Sequence, residues 1–194
     1  MKPGEGKIFC VGFQKTGTSS LGKALAVLGY KVCGPVGTLD PDFGHKALDI
    51  AMRYTDQYDA FQDHPWPLVY QDLDKRYPGS KFILTVRPQR AWIRSVVKYF
   101  GRYHDAPDRE WVFGSGSPIG HERTYTRRYR EHNAAVKEYF RDRPDDLLVM
   151  DFSKGEGWQK LCAFLDMPVP EVDFPHVNKR GSLTSLAFAH IPGI

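Results

Sequence analysis

Ile8-Phe9-Cys10-Val11-Gly12 runs into Phe13-Gln14-Lys15-Thr16-Gly17-Thr18-Ser19-Ser20, and that into Leu21-Gly22-Lys23-Ala24-Leu25-Ala26-Val27-Leu28. The first piece is a short apolar run closed by glycine, the pattern of a buried strand. The third has apolar residues at 21, 24, 25 and 28, the i, i+3, i+4, i+7 spacing of a helix, and Gly29 follows as its C′ residue. Strand, glycine loop and helix N-terminus together make an anion site. The amides of the first helical turn are unpaired, and the helix dipole adds positive potential there. Gly12 and Gly17 allow tight turns. Thr18, Ser19 and Ser20 can cap the helix or donate to phosphate oxygens, and Lys15 adds a mobile full charge.

Outward from this stretch, apolar runs alternate with helical periods. Strands are expected at 30–33, 59–63, 81–86 and 147–151, and helices at 41–54, 68–77, 89–100, 124–141 and 157–165. His64-Pro65-Trp66-Pro67 breaks regular structure. Residues 101–123 lack a firm period and read as a lid or acceptor loop; 166–194 read as a loop-rich tail with a short helix near 183–189. The alternation predicts an α/β fold, a single domain over 1–194 with a parallel sheet flanked by helices. Ligands of such sheets sit beyond the carboxyl ends of the strands, where the Lys15 loop and Arg87 both fall.

The 194 residues suffice for one domain with a real core, and the composition is globular: 41% hydrophobic, 26% charged. A net charge of +4 is too mild to imply nucleic acid but suits an anionic ligand. The basic run Arg123, Arg127, Arg128 and Arg130 reads as a solvated helix face. Cys10, Cys33 and Cys162 are scattered and odd in number, with no metal-ligand or disulfide spacing. With no signal peptide or membrane span after Met1, a reducing, cytoplasmic setting is expected.

Gly12 and Gly17 have the glycine spacing of Walker A, G-x-x-x-x-G-K-[ST], but Thr18 stands where the lysine belongs and Lys15 lies inside the loop. That departure opposes an ordinary ATPase or GTPase. Gln14-Lys15-Thr16-Gly17-Thr18-Ser19-Ser20-Leu21 instead resembles the 5′-phosphosulfate loop of sulfotransferases that use PAPS (3′-phosphoadenosine 5′-phosphosulfate). Val86-Arg87-Pro88, with Ser95 eight residues after the arginine and then Tyr99-Phe100, is similar to that family's 3′-phosphate segment. Asn178-Lys179-Arg180-Gly181-Ser182 faintly resembles its Arg-Lys-Gly loop, with the basic pair reversed.

The resemblance implies a P-loop nucleotide-kinase-like sulfotransferase architecture. It also implies sulfuryl transfer from PAPS to a hydroxyl or amine of a small-molecule, lipid or sugar acceptor, releasing PAP without a metal. Gln14, Lys15, Thr16, Gly17, Thr18 and Ser19 would hold the 5′ end. Arg87, Ser95, Lys179, Arg180 and Gly181 would hold the 3′-phosphate, and Lys15 would meet the leaving oxygen. For the base, Asp63-His64-Pro65 is similar to the Thr-His-Leu-Pro context of the cytosolic members, 23 residues before Arg87. An imidazole pKa near 6.5 suits a proton acceptor, so His64 is the first choice and Asp63 the rival. Phe13, Tyr30, Trp66 and the 101–123 residues Tyr103, His104, Trp111 and Phe113 are the acceptor-pocket candidates. Two rivals stay open. One is a small-molecule or nucleoside kinase, with Asp151 ending a Walker-B-like run; the other is a non-catalytic nucleotide-binding protein.

Overall fold

A computed structural model describes residues 1–102 and 106–177. The basic tail residues Lys179, Arg180 and Gly181, the expected helix at 183–189, and the loop residues Tyr103 and His104 lie outside the described residues.

Five strands form one parallel sheet: β1 (Ile8–Cys10), β2 (Val32–Cys33), β3 (Ala60–Phe61), β4 (Lys81–Thr85) and β5 (Leu147–Met150), in the order β2-β3-β1-β4-β5. β1 is central, with Ile8 opposite Ala60 on one side and Lys81 on the other. The helices are α1 (Thr18–Val27), α2 (Phe43–Met52), α3 (Tyr70–Arg76), α4 (Gln89–Phe100), α5 (Pro107–Phe113), α6 (Glu122–Tyr139) and α7 (Trp158–Leu165). This is the expected α/β fold, a parallel sheet flanked by helices. None of the described helices is long and apolar enough to cross a membrane.

The strands read as unbroken apolar runs because both faces of the sheet are covered. Side chains alternate between two cores. Ile8, Cys10 and Ile83 pack with Leu21 and Leu25 of α1 and with Trp158 and Leu161 of α7. Phe9, Val11, Phe82 and Leu84 face the other way, onto Phe43, Leu73, Val136 and Phe140. A third cluster, around Phe13, joins Trp92 and Val96 of α4, Val112 and Phe113 of α5, and Tyr125 and Tyr129 of α6. It binds the helices beside the site to the residue that opens the glycine loop. The cysteines are free and buried. Burial pushes the Cys10 thiol far up, so it behaves as a small apolar residue.

The 101–123 segment departs from its expected loop form, since it carries α5. Pro107 sits in the first turn, where its missing N–H costs nothing, and Gly114 ends the helix at φ 74°. Seven residues hold too few turns to show a period to the eye. The described part of the tail, 166–177, contains no helix or strand.

Candidate active site

β1 ends at Cys10, and the chain turns through Gly12 to Gly17 into α1. Both glycines are required by contact. A Cβ on Gly12 would lie 2.1 Å from Thr85 Oγ1 and 2.7 Å from the Thr85 amide nitrogen, and backbone cannot yield. Gly17 has φ 108° and faces the Phe152 ring, 2.4 Å from a built Cβ. Gly17 is also the N-cap of α1, with no side-chain cap, so Thr18, Ser19 and Ser20 are not spent on capping. Ser20 and Leu21 already bond the Gly17 carbonyl. Ser20 Oγ accepts from the Val177 amide at 3.2 Å and ties the tail to the helix. Lys15 takes the left-handed conformation, φ 69°, unusual for a residue with a side chain. Thr16 turns its hydroxyl inward, donating to the Phe13 carbonyl at 2.6 Å and meeting Thr85 Oγ1 at 2.6 Å. Its side chain is therefore committed to the loop.

Arg87 leaves the end of β4 and reaches the same loop, its guanidinium donating to the Lys15 carbonyl at 3.3 Å. Its backbone is bracketed by Tyr129, whose hydroxyl accepts from the Arg87 amide and donates to the Arg87 carbonyl, each at 2.9 Å. Tyr129 stacks on Trp92, and the Trp92 indole donates to the Gln14 carbonyl at 2.9 Å. Below the loop, His132 bonds the Val11 carbonyl at 2.7 Å and stacks on Phe13. Burial pushes its pKa down to about 4, so the ring is neutral and donates. Trp92, Tyr129 and His132 are supports the sequence reading did not single out. Tyr125, Tyr129, His132 and Val136 are nevertheless the buried stripe of α6, legible as helical spacing.

A cavity of about 1290 Å³ opens here, and Gln14, Lys15, Thr16, Gly17, Thr18, Ser19, Asp63, Arg87 and Ser95 all line it. Lys15 Nζ lies 3.6 Å from the centre of the Tyr99 ring. Burial lowers its pKa; Asp63 opposes that and the Arg87 charge adds to it. Asp63 lines the wall with φ 63° and an unpartnered, buried Oδ1. Burial holds its carboxyl above the usual range, which Thr18, His64 and Lys15 only partly offset. His64, the sequence's first choice as base, is 0% exposed and not among the lining residues. It is enclosed by Phe13 and Phe43 and bonds Asp108 Oδ2 through Nδ1 at 2.8 Å.

Of the aromatic candidates, Phe13, Tyr30, Trp66 and Phe113 are core residues at 4% exposure or less. Trp111 packs on Phe43 and α2, and none of the five lines the cavity. The apolar walls come instead from Pro35, Leu39, Ile93, Val97, Tyr99 and Phe100. Asp151, the Walker-B-like aspartate, accepts from the Ser153 amide and hydroxyl as a turn cap and does not line the cavity.

Comparison with known proteins places the chain in a family. "Ava biosynthesis cluster protein M" of Aspergillus versicolor is 28% identical over 221 aligned positions, covering 88% of this chain and 80% of the relative. The sulfotransferase domain model matches residues 7–118 and 105–183, nearly the whole length, and the chain belongs to that sulfotransferase family.

Proposed function

We propose that the chain transfers a sulfuryl group from PAPS to a hydroxyl or amine of a small-molecule acceptor. The observation that carries this is the meeting of two anion grips in one cavity: the α1 amides with Lys15, and Arg87 with Ser95. A donor with phosphates at two positions needs two grips, and a lone phosphate needs one. The cradle fits such a donor. Gly12 and Gly17 leave no side chain in the way, and the free amides sit at the positive end of a ten-residue helix. The name of the Aspergillus relative, a biosynthesis cluster protein, accords with a small-molecule acceptor.

In this reading the α1 amides, Thr18 and Ser19 hold the 5′-phosphosulfate, while Arg87 and Ser95 hold the 3′-phosphate. The acceptor oxygen or nitrogen bonds sulfur as the bond from sulfur to the phosphate oxygen breaks. The electron pair stays on that oxygen, and Lys15 offsets its charge. The acceptor proton passes to Asp63, because a base must touch the acceptor and Asp63, not His64, faces the cavity. Its raised pKa makes it a stronger base than an ordinary carboxylate. Titration calorimetry with PAP in EDTA, beside ATP with magnesium, tests the donor site. Tight PAP and weak ATP binding are expected; the reverse order would hand the loop to a kinase.

A further inference from the structure

Asp63 owes its aim to an unfavourable backbone. A side chain in the left-handed region is disfavoured because its Cβ crowds the following carbonyl oxygen, and relaxing to the β region would swing the carboxylate off its line. Such a residue persists only when its neighbours over-determine it. Before it, the Gln62 amide is fixed to the Cys33 carbonyl. After it, the Asp63 carbonyl accepts from Trp66, and the His64 carbonyl accepts from Val36. The Asp63 carboxylate also accepts from the Thr18 side chain. A further constraint is the His64 ring, seated between Phe13 and Phe43 with its Nδ1–H on Asp108. Asp108 comes from α5, 44 residues further along, and itself lines the cavity.

We propose that Asp108 is a positioning residue for the acceptor-side base: by gripping the His64 ring it locks the turn that points Asp63 into the cavity. This rests on the sulfuryl-transfer reading and on Asp63 as proton acceptor. A purely stabilising role is a poor explanation of the pair. Enclosing an imidazole and a carboxylate has a desolvation cost, and apolar pairs of similar volume commonly serve a core as well or better. His64 also leaves Nε2 buried without a partner, a further cost that packing alone would not retain. The Nδ1 bond to a carboxylate is strong and directional, which is what orientation requires. Because α5 is fixed on Phe13 through Phe113, the same contact ties the base to the helix bounding the acceptor end.

The test uses four single variants and one double variant. Readouts are kcat and KM for PAPS with 2-naphthol as acceptor, PAP affinity by calorimetry, and Tm. Asp108→Ala and His64→Ala should each lower kcat roughly 10- to 100-fold, the range for residues that orient a catalytic group. KM for PAPS and PAP affinity should not move. Asp108→Asn keeps an acceptor for Nδ1–H, and His64→Asn puts an amide N–H near the Nδ1 position; both should recover most of the loss. If the alanine variants do not fold, the apolar double variant His64→Phe with Asp108→Leu takes their place and should fold yet show the same fall in kcat. Wild-type kcat in folded Asp108→Ala or in the double variant overturns the proposal. So does His64→Asn as inactive as His64→Ala, which would put the imidazole itself in proton transfer. A wild-type protein that binds no PAP, or binds it without converting PAPS, overturns the underlying reading instead.

Discussion

The two ends of the cavity are assembled in different ways. In the proposed reading the donor end is local: one βα turn, residues 11–20, supplies the amides and Lys15, and the next long strand with its helix supplies Arg87 and Ser95. The acceptor end is assembled from afar. Asp63 follows β3, Pro35 and Leu39 follow β2, and Asp108 arrives on α5. Anion binding can be built from backbone amides and a few charges, so a short stretch of chain suffices. Recognition of one acceptor and aim of one base need walls from several directions. A change at the donor end should therefore act on binding or on leaving-group charge, and one at the acceptor end on proton transfer.

The sharpest way to break that division is Asp63→Asn. Loss of a general base lowers turnover by roughly 10²- to 10⁴-fold. PAP affinity should stay near wild type; if it collapses, the two ends are not separable. The same change carries a sign prediction. The carboxyl's folded pKa is raised, so it is neutral in both states at acid pH; the stability cost sets in as pH rises past the unfolded value and is complete above the folded one. Asp63→Asn should then raise Tm at neutral pH, with the gain shrinking toward acid pH. A Tm equal to or below wild type at neutral pH would mean that the carboxylate is not held there against its solvation.

Next in size is Lys15→Ala. Removing a donor from a developing oxyanion costs roughly 10²- to 10³-fold in kcat. PAP affinity should fall far less, because the α1 amides remain. The lowered pKa of Lys15 and the raised pKa of Asp63 also bring the two limbs of the pH–rate profile toward each other. Protonation of Asp63 removes the base on the acid side; deprotonation of Lys15 removes the charge on the alkaline side. An unchanged rate in Lys15→Ala would strike the lysine from the mechanism. Arg87→Ala is smaller and acts on binding. A hydrogen bond to a charged group is worth about 1.5–3 kcal/mol, so PAP should bind roughly 10- to 100-fold more weakly. Adenosine 5′-phosphosulfate, which lacks the 3′-phosphate, should bind as before. Equal loss for both ligands would remove Arg87 from the 3′ site.

The same contrast explains what could be read without the structure. The parallel sheet was legible because β1, β4 and β5 are apolar runs at strand length, and α4 matched its expected bounds, 89–100, residue for residue. That Lys15, Arg87 and Ser95 line one cavity was legible because these residues lie in one loop or along one helix. The acceptor end was not. Asp108 lies in a segment without a visible period, and its partnership with His64 is a tertiary contact that no local pattern encodes. The order of His64 over Asp63 came from motif context, whereas facing the cavity or the core is decided by the left-handed turn at Asp63. Phe13, Tyr30, Trp66 and Phe113 went to the core for the ordinary reason that large apolar side chains fill the space between sheet and helices.

The smallest expected effect concerns His132, beneath the donor loop, and it separates support from chemistry. Its ring is held neutral by burial at a pKa of about 4, against about 6.5 unfolded, while its N–H bonds the Val11 carbonyl. A pKa depressed on folding gives stability that is complete above the unfolded value and is lost as pH falls through the folded one. Between pH 6.5 and 4 the group should therefore account for a loss of up to about 3 kcal/mol. His132→Gln keeps an N–H for Val11 and cannot titrate. Urea unfolding as a function of pH should show a shallower acid slope for the variant than for wild type, with kcat at neutral pH close to unchanged. An identical acid slope would show that another group carries the acid sensitivity. A large fall in kcat at neutral pH would show that the Phe13 and His132 stack sets the donor loop geometry directly, and the donor end would then be less local than its sequence suggests.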